Sequence, residues 1–253
     1  MLLDWRAPPG VRAAFTLRTG GVSAAPYDSL NLGAHVGDVP AAVAENRRRV
    51  HALLGLPAEP AWLQQVHGVD VLDMDVPGVS GANGCEPVPA GTRAPTADAA
   101  VTREAGRVCV IQVADCMPVL FAARDGSAVG AAHAGWRGLA GGVLEATVRK
   151  LGVAPDQLLA WLGPAISQAN FEVGDDVRAA FMSHDASAAS AFEANARGRW
   201  QCDLYALARR RLAALGVRDV SGGGWCTFAD DVRFFSYRRD GQCGRMAALI
   251  WIS

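Results

Sequence analysis

The chain has 253 residues, of which 51% are hydrophobic and 19% charged, a balance typical of globular proteins and unlike that of disordered chains. Its 24 basic and 25 acidic residues give a net charge of −1. Proteins that bind polynucleotides usually carry a basic excess, so we expect no polynucleotide partner. The longest apolar run, 108–123, contains Gln112 and Asp115 and is too short and polar to span a bilayer, so we expect no membrane partner either.

The six cysteines form no C-x-x-C pair, and the first ten residues contain no apolar leader segment. A disulfide scaffold is therefore not expected at this size. We expect a cytoplasmic protein with reduced thiols. A chain of this length is also close to the upper limit of one hydrophobic core, which favours a single domain over residues 1–253.

In the first half of the chain, short apolar segments bounded by turn residues predict strands at 13–19, 61–66 and 69–74. Helical spacing of apolar residues predicts a helix over 39–54, which Gly55 would end. The segment 76–96 is rich in glycine and proline and predicts a surface loop or flap.

In the second half, apolar runs predict buried strands at 97–102, 108–114, 119–123, 128–134 and 158–162. Helical patterns cover 138–151, 175–182 and 203–215. The last two strand-like segments, 234–237 and 246–252, predict a terminal β-hairpin. Strands outnumber helices and alternate with them only in the middle of the chain. This pattern favours an α/β fold of layered mixed β-sheets flanked by helices.

Three residues with metal-binding side chains stand at the ends of predicted strands. His67 follows an apolar segment and precedes a glycine, Cys116 lies between two buried strands, and His133 ends a run of small residues. Side chains at strand ends project into common crevices. Two imidazoles and one thiolate suit Zn²⁺, and three protein ligands are typical of a catalytic site.

The spacing alone leaves other interpretations open. A histidine at a strand end is often only hydrogen-bonded, and a buried cysteine often behaves as a small apolar residue. Cys116 is equally consistent with a nucleophile that takes His133 as its base. Asp98 and Asp115 lie within apolar strands, where a carboxylate is either structural or orients a ligand histidine.

Two arginine segments are candidates for anion binding. Arg137 lies in a Gly-Trp-Arg-Gly turn at 135–138 that begins a helix, and Arg238 lies in the aromatic and basic segment 236–241. Guanidinium groups and free N–H groups in such places bind phosphate or stack on a base. A tight turn with a surface arginine, or a solvated turn, explains each segment equally well.

Several motifs together resemble the bacterial laccase-domain family, whose members are also described as multicopper polyphenol oxidoreductases and as purine nucleoside phosphorylases. The motifs are Gln-Val-His-Gly at 65–68, Ala-Asp-Ala at 97–99, Ala-Asp-Cys-Met-Pro at 114–118, His-Ala-Gly-Trp-Arg-Gly at 133–138, Leu-Gly-Pro-Ala-Ile at 162–166 and Phe-Glu-Val-Gly at 171–174. They occur in order, and with Asn31-Leu32-Gly33 and the segment 235–245 they cover nearly the whole chain.

The resemblance implies a single α/β domain similar to cysteine-hydrolase-like toxin domains. It also implies a metal held by His67, Cys116 and His133, with zinc as the expected ion and copper as the alternative. One position departs from the family pattern, since Asn170 stands where many members have a cysteine.

The function implied by the resemblance is phosphorolysis of adenosine, inosine and S-methyl-5'-thioadenosine, with adenosine deaminase activity at the same metal site. We predict catalytic roles for Cys116 and Arg137, and substrate contacts for Asn31, Asp98 and Arg238. The expected partners are nucleosides and phosphate, and the expected assembly is a monomer or a small homo-oligomer.

Two further functions remain open. Copper-dependent oxidation of phenols is one, although five histidines are too few for a site that holds several coppers. Hydrolysis of an amide, such as the editing of peptidoglycan precursors, is the other, with Cys116 as nucleophile or ligand.

Overall fold

The computed structural model describes residues 5–76 and 94–253. In these residues the strands are β1 (Val11–Phe15), β2 (Val71–Asp73), β3 (Ala99–Thr102), β4 (Val108–Val113), β5 (Met117–Ala123), β6 (Val129–Ala134), β7 (Leu158–Leu162), β8 (Glu172–Val173), β9 (Phe192–Ala194), β10 (Trp200–Cys202), β11 (Asp219–Gly222) and β12 (Met246–Ile252). The α-helices are α1 (Pro40–Leu54), α2 (Trp136–Gly141), α3 (Val143–Leu151), α4 (Asp175–Met182), α5 (Leu204–Leu215) and α6 (Tyr237–Asp240).

The described strands form a central pair of sheets and one small sheet. The larger sheet has the order β11-β7-β5-β6-β3-β2, with parallel pairs at both edges and antiparallel pairs between them. The second sheet is antiparallel, with β12 between β1 and β4. The small sheet has the order β8-β10-β9. This architecture confirms the predicted mixed α/β fold with several sheets flanked by helices.

The core is layered because the central strands are apolar on both faces. In β5, Val119 and Phe121 pack with helices α3 and α5, whereas Leu120 points to the opposite side and packs with the β1-β12-β4 sheet. A third cluster fills the outer face of that sheet, where Val50 of α1 meets Val110 of β4. Burial of two faces explains why β5 reads as a continuous apolar run instead of alternating.

The predicted strand at 61–66 is wrong. Within the described residues the segment joins no strand ladder, and its one β-bridge is between Gln64 and Thr96. Beside β4, the side chain of Gln65 replaces a neighbouring strand: its Oε1 accepts from the Gln112 backbone N–H at 2.8 Å, and its Nε2 donates to the Gln112 carbonyl at 2.8 Å. The side-chain amide of Gln65 therefore hydrogen-bonds the backbone groups at this edge of β4 that a neighbouring strand would otherwise pair.

The predicted hairpin of 234–237 with 246–252 is also wrong. β12 is a strand but pairs with β1 and β4, and the earlier segment leads into α6. The reason is local capping, since the Ser236 side chain accepts from the Arg239 N–H. Phe234 and Phe235 are fully buried in the core between the two main sheets.

Smaller differences concern one helix and several short strands. The predicted helix 138–151 is divided by Gly142, whose φ of 100° lies in the left-handed region and ends α2 before α3 begins. Strands β8 to β11 were not predicted, because two to four residues carry too little periodicity. The predicted loop at 76–96 lies mostly outside the described residues. No helix in the described part of the chain is long and apolar enough to cross a bilayer.

Candidate metal centre

His67 is held at the site by a turn that Asp98 organises. The Asp98 carboxylate accepts hydrogen bonds from three consecutive backbone N–H groups, those of Val66 at 3.1 Å, His67 at 2.9 Å and Gly68 at 2.7 Å. The backbone of His67 has a φ of 62°, which is uncommon for a residue with a side chain. A fully buried carboxylate thus stabilises a strained turn that presents the imidazole.

Cys116 follows a second strained residue. Asp115 has a φ of 86°, and its carboxylate accepts from the Thr227 hydroxyl at 2.6 Å and from the Arg238 backbone N–H at 2.7 Å. Among the described residues, His67 and Asp115 are the only non-glycine positions with positive φ. His67 is itself a candidate ligand and Asp115 directly precedes another, and functional sites are where such strain concentrates.

His133 lies in β6 and is oriented by Asp98. Its Nδ1 is 2.9 Å from Asp98 Oδ1, and both side chains are buried. The backbone N–H of His133 also donates to the Asp98 carbonyl at 2.7 Å. With Nδ1 engaged by a carboxylate, the other ring nitrogen is free to bind a metal, an arrangement common around metal-bound histidines.

The three side chains converge in the folded chain. Their candidate ligand atoms all lie within 4.8 Å of one another, and Cys116 Sγ is 3.7 Å from His67 Nε2. The bond lengths of a tetrahedral zinc site separate nitrogen and sulfur ligands by roughly 3.5 Å. Two imidazoles and a thiolate at this spacing fit a zinc ion. The distances between the ligand atoms need to shorten only slightly for all three to bind it.

Gly135 leaves the space that the cluster needs. A Cβ at this position would lie 2.8 Å from Cys116 Sγ and 3.0 Å from the Cδ2 of His67. The backbone of Gly135 is extended, with φ −65° and ψ 161°, so any residue could adopt it. The requirement for glycine is therefore steric and arises from the ligands themselves.

The electrostatics of the cluster favour a thiolate. Burial would raise the pKa of the Cys116 thiol, but the charge and hydrogen bonds of His133 and His67 outweigh burial and lower it. Burial would also lower the pKa of His133, whereas the Cys116 thiolate and Asp98 raise it. Burial opposes ionisation of Asp98 too, yet its hydrogen bonds from His133 and Gly68 hold its pKa below the ordinary value. The ligand sulfur is thus prepared for a cation.

The cluster opens into a cleft of about 600 Å³. Arg137 and Arg238, both predicted to act on substrate or phosphate, line this cleft together with the three candidate ligands. The Arg137 guanidinium stacks on Trp136 at 4.4 Å, and that of Arg238 lies 5.3 Å from the ring of Phe171. Arg137 reaches the cleft from the same segment as His133, whereas the fold brings Arg238 to it from a segment about one hundred positions away.

Two other predicted substrate residues lie behind the cleft wall. Asn31 is fully buried, with its Oδ1 accepting from the backbone N–H groups of Gly33 and Arg245, both at 2.9 Å. Its Nδ2 donates to Asp38 Oδ2 at 2.9 Å. This position leaves Asn31 no exposed polar atom for a substrate. Asp98 is likewise fully buried and contacts the ligand segments instead of the cleft.

The cleft contains polar residues that the sequence pattern did not single out as site residues. Gln65, Gln112, His35 and Arg245 all line it. A signal existed for Gln112, because it interrupts the apolar run of β4. Nothing in the sequence indicated that His35 and Arg245, separated by some two hundred positions, share one cavity with it.

Asn170, where the chain departs from the family pattern, lies outside this cleft. Its Nδ2 is 3.3 Å from Cys226 Sγ and 3.3 Å from the Ser167 hydroxyl. The departure therefore leaves the candidate ligands untouched.

Comparison with known proteins gives the family. The model of a family described as multi-copper polyphenol oxidoreductase laccase matches residues 12–253. The chain belongs to this family.

Relatives that are named purine nucleoside phosphorylase match almost the whole chain. A protein of Pseudomonas aeruginosa named purine nucleoside phosphorylase is 54% identical over 250 residues, covering 98% of this chain and 96% of the relative. The Escherichia coli protein named purine nucleoside phosphorylase YfiH is 50% identical over 249 residues, covering 98% and 97%. The family thus includes proteins named as nucleoside-cleaving enzymes.

Solved structures of family proteins have the same fold. A crystal structure of a Neisseria meningitidis protein superposes with a TM-score of 0.89 at 49% identity, covering 99% of this chain and 97% of the other. The YlmD protein of Geobacillus stearothermophilus gives a TM-score of 0.83 at 33% identity, covering 96% and 92%. The fold that brings His67, Cys116 and His133 together in this chain is therefore shared with these two structures.

Proposed function

We propose that this protein is a metal-dependent purine nucleoside phosphorylase. It cleaves adenosine, inosine and S-methyl-5'-thioadenosine with phosphate and deaminates adenosine as a side activity. The observation that carries the proposal is the convergence of His67, Cys116 and His133 on the floor of a cleft that also contains Arg137 and Arg238. The names of the relatives that are 50–54% identical support the same chemistry.

The metal proposed for this site is zinc. Two imidazoles and one thiolate form a donor set that zinc favours, with copper as the alternative ion. A bound zinc ion would supply Lewis acidity. His67, Cys116 and His133 would hold it, and Asp98 fixes the ring of His133, which is the buried member of the set.

Arg137 and Arg238 are proposed to bind phosphate. An oxygen of phosphate forms a bond to C1′ of the ribose while the bond from C1′ to the purine nitrogen breaks. The electron pair leaves with the base, which takes up the proton that the phosphate gives up, and for inosine the products are hypoxanthine and ribose 1-phosphate. Guanidinium groups suit this step because they hold phosphate by paired hydrogen bonds. The backbone of Arg238 is already fixed by Asp115, which limits the freedom lost on binding.

The experiment that tests the proposed function is a phosphate-dependence assay. The purified protein is incubated with inosine in the presence and absence of inorganic phosphate, and hypoxanthine and ribose 1-phosphate are quantified. We expect both products only with phosphate. Hypoxanthine and free ribose formed at equal rates without phosphate would indicate a hydrolase and overturn the proposal. Metal analysis of the same sample, made without added copper, identifies the ion.

A second candidate function is amide hydrolysis by Cys116. The observation that favours it is that the Cys116 thiol lies within 4.8 Å of a ring nitrogen of His133, whose Nδ1 is 2.9 Å from Asp98 Oδ1, which has the order of a cysteine–histidine–carboxylate triad. In that mechanism Cys116 is the nucleophile, and His67 has no required role. Incubation with a peptidoglycan precursor that contains a misincorporated residue tests this activity directly.

Copper-dependent oxidation of phenols receives less support from the site. Within the described residues there is one group of three potential metal ligands, His67, Cys116 and His133. Multicopper chemistry needs several ligand clusters at short range.

The partners that we propose are nucleosides and phosphate. We also propose a cytoplasmic location, and a monomer or small homo-oligomer as the assembly.

A further inference from the structure

Gln112 is a buried polar side chain whose amide oxygen is not paired by any of the residues that the structure describes. It lies in β4, lines the cleft and is only 5% exposed, and its Oε1 has no hydrogen-bond partner among the described residues. Buried amide oxygens in proteins are almost always paired, so an unpaired one beside a cleft points to a partner that arrives from outside the chain.

The position of Gln112 in β4 favours an apolar residue on packing grounds. Side chains alternate along a strand, so Gln112 shares a face with Val108 and Val110, which pack in the cluster beneath α1. A methionine of similar length could fill the same space without burying an unpaired oxygen. The glutamine is therefore not explained by the packing of the fold.

The backbone of Gln112 is held firmly, which prepares the side chain for binding. Its N–H and carbonyl are both bonded to the Gln65 side chain at 2.8 Å. On the other edge of β4, Gln112 is paired with Ala247 of β12. The terminal amide of Gln112 remains free to rotate. A half-turn of that group exchanges its donor and its acceptor.

Apart from Gln112, the described amide, carboxylate and guanidinium groups of the cleft do not offer this combination. Gln65 uses its amide on the β4 backbone, and both carboxylate oxygens of Asp115 are engaged. Arg137 and Arg238 carry donors only. Gln112 is therefore the carboxamide of the cleft that has both a donor and an acceptor to give to a ligand.

We propose that Gln112 is a specificity-determining residue that hydrogen-bonds the 6-position edge of the purine base. This inference rests on the proposed nucleoside phosphorylase function. Adenine presents an amino donor at position 6 beside an acceptor nitrogen, whereas hypoxanthine presents a carbonyl acceptor beside an N–H donor. A carboxamide matches both groups of either edge after a half-turn, whereas a carboxylate can pair only with the donor of an edge and a guanidinium only with its acceptor. Gln112 thus lets one cleft accept both 6-amino and 6-oxo purines.

The test compares wild-type protein with Gln112→Met on three nucleosides in the presence of phosphate. These are inosine, 2′-deoxyinosine, and purine riboside, which carries only hydrogen at position 6. We expect kcat/KM to fall about 10- to 100-fold on inosine and on 2′-deoxyinosine, the range associated with a lost hydrogen bond to a buried group. The loss on purine riboside is expected to be at least several-fold smaller; if that analogue does not turn over, its inhibition constant is compared instead.

Three outcomes decide the proposal. An equal loss on inosine and purine riboside, or a loss confined to nucleosides that carry a 2′-hydroxyl, would overturn the contact with the base edge. A thermal midpoint lowered equally by Gln112→Met and by the shorter amide in Gln112→Asn, with equal losses on all substrates, would make Gln112 structural. If wild-type protein cleaves none of the nucleosides, the proposed function itself fails, a result separate from the behaviour of the variants.

Discussion

The Oδ1 atom of Asp98 lies 2.9 Å from Nδ1 of His133, and the same carboxylate accepts from the backbone N–H of His67 at 2.9 Å. One buried anion therefore orients two of the three candidate metal ligands, one through its ring and the other through its backbone. This relationship leads directly to the first prediction.

Asp98→Asn is expected to weaken metal binding by about 10- to 100-fold, because an amide cannot accept from His133 and from the turn at 66–68 as a carboxylate does. The measurement is zinc affinity by competition with a chromophoric chelator. Asp70→Asn is the matched control, since Asp70 is exposed and only two residues beyond Gly68. Equal zinc affinity in both variants would contradict the role assigned to Asp98.

Gly135→Ala is expected to reduce metal affinity and activity without unfolding the protein. The new methyl group would lie 2.8 Å from Cys116 Sγ, whereas the extended backbone at this position tolerates alanine. Gly224→Ala serves as the control, because a Cβ there meets nothing within 4 Å. Metal content and far-ultraviolet circular dichroism are measured on both proteins, and a fully metal-loaded Gly135→Ala protein would show that the cluster has more room than its geometry indicates.

His67→Ala separates metal chemistry from the cysteine-hydrolase alternative. In the proposed function His67 is a ligand, so its loss should lower both the bound metal and the phosphorolysis rate by at least about 100-fold, as expected for an essential group. His184→Ala, at an exposed position after α4, should leave both unchanged. Retention of activity in metal-depleted His67→Ala would instead favour Cys116 as a nucleophile assisted by His133.

Arg137→Ala is expected to raise the KM for phosphate by about tenfold or more, since one charge-assisted contact to phosphate is removed. The KM for inosine should change much less. Arg149→Ala removes the same charge from an exposed position on α3 and should have no effect on either constant. An unchanged KM for phosphate in Arg137→Ala would remove this arginine from the proposed phosphate site.

Leu120→Ala is expected to lower the free energy of unfolding by about 2–5 kcal/mol, because it opens a cavity in a fully buried position. Leu120 packs between the two main sheets, where several layers meet. The control is Leu53→Ala on α1, whose side chain is 75% exposed and whose loss should change the free energy by less than about 0.5 kcal/mol. Urea denaturation followed by tryptophan fluorescence measures both, and equal midpoints would contradict the layered core.

Much of the fold was predictable because its central strands are long and apolar. Strands β3 to β7 and helices α1, α4 and α5 follow from runs and periodicities that local chemistry imposes. The failures occurred where a side chain replaced backbone pairing, as Gln65 does beside β4, or where a cap redirected the chain, as Ser236 does before α6. Such interactions depend on partners distant in sequence or on a single hydrogen bond, which periodicity does not report.

The amino-acid sequence alone determined which residue types are able to bind a metal, and its motifs identified His67, Cys116 and His133 as the set. It left open whether those side chains meet, because their positions span 67 to 133 and no local interaction joins them. Tertiary structure decided that question through Asp98, which reaches both histidine segments, and through the pairing of β5 with β6. The tertiary structure also decided that Asn31 lies behind the cleft wall and that Gln112 lines the cleft. The burial of a side chain and its hydrogen bonds depend on which segments the folded layers bring together.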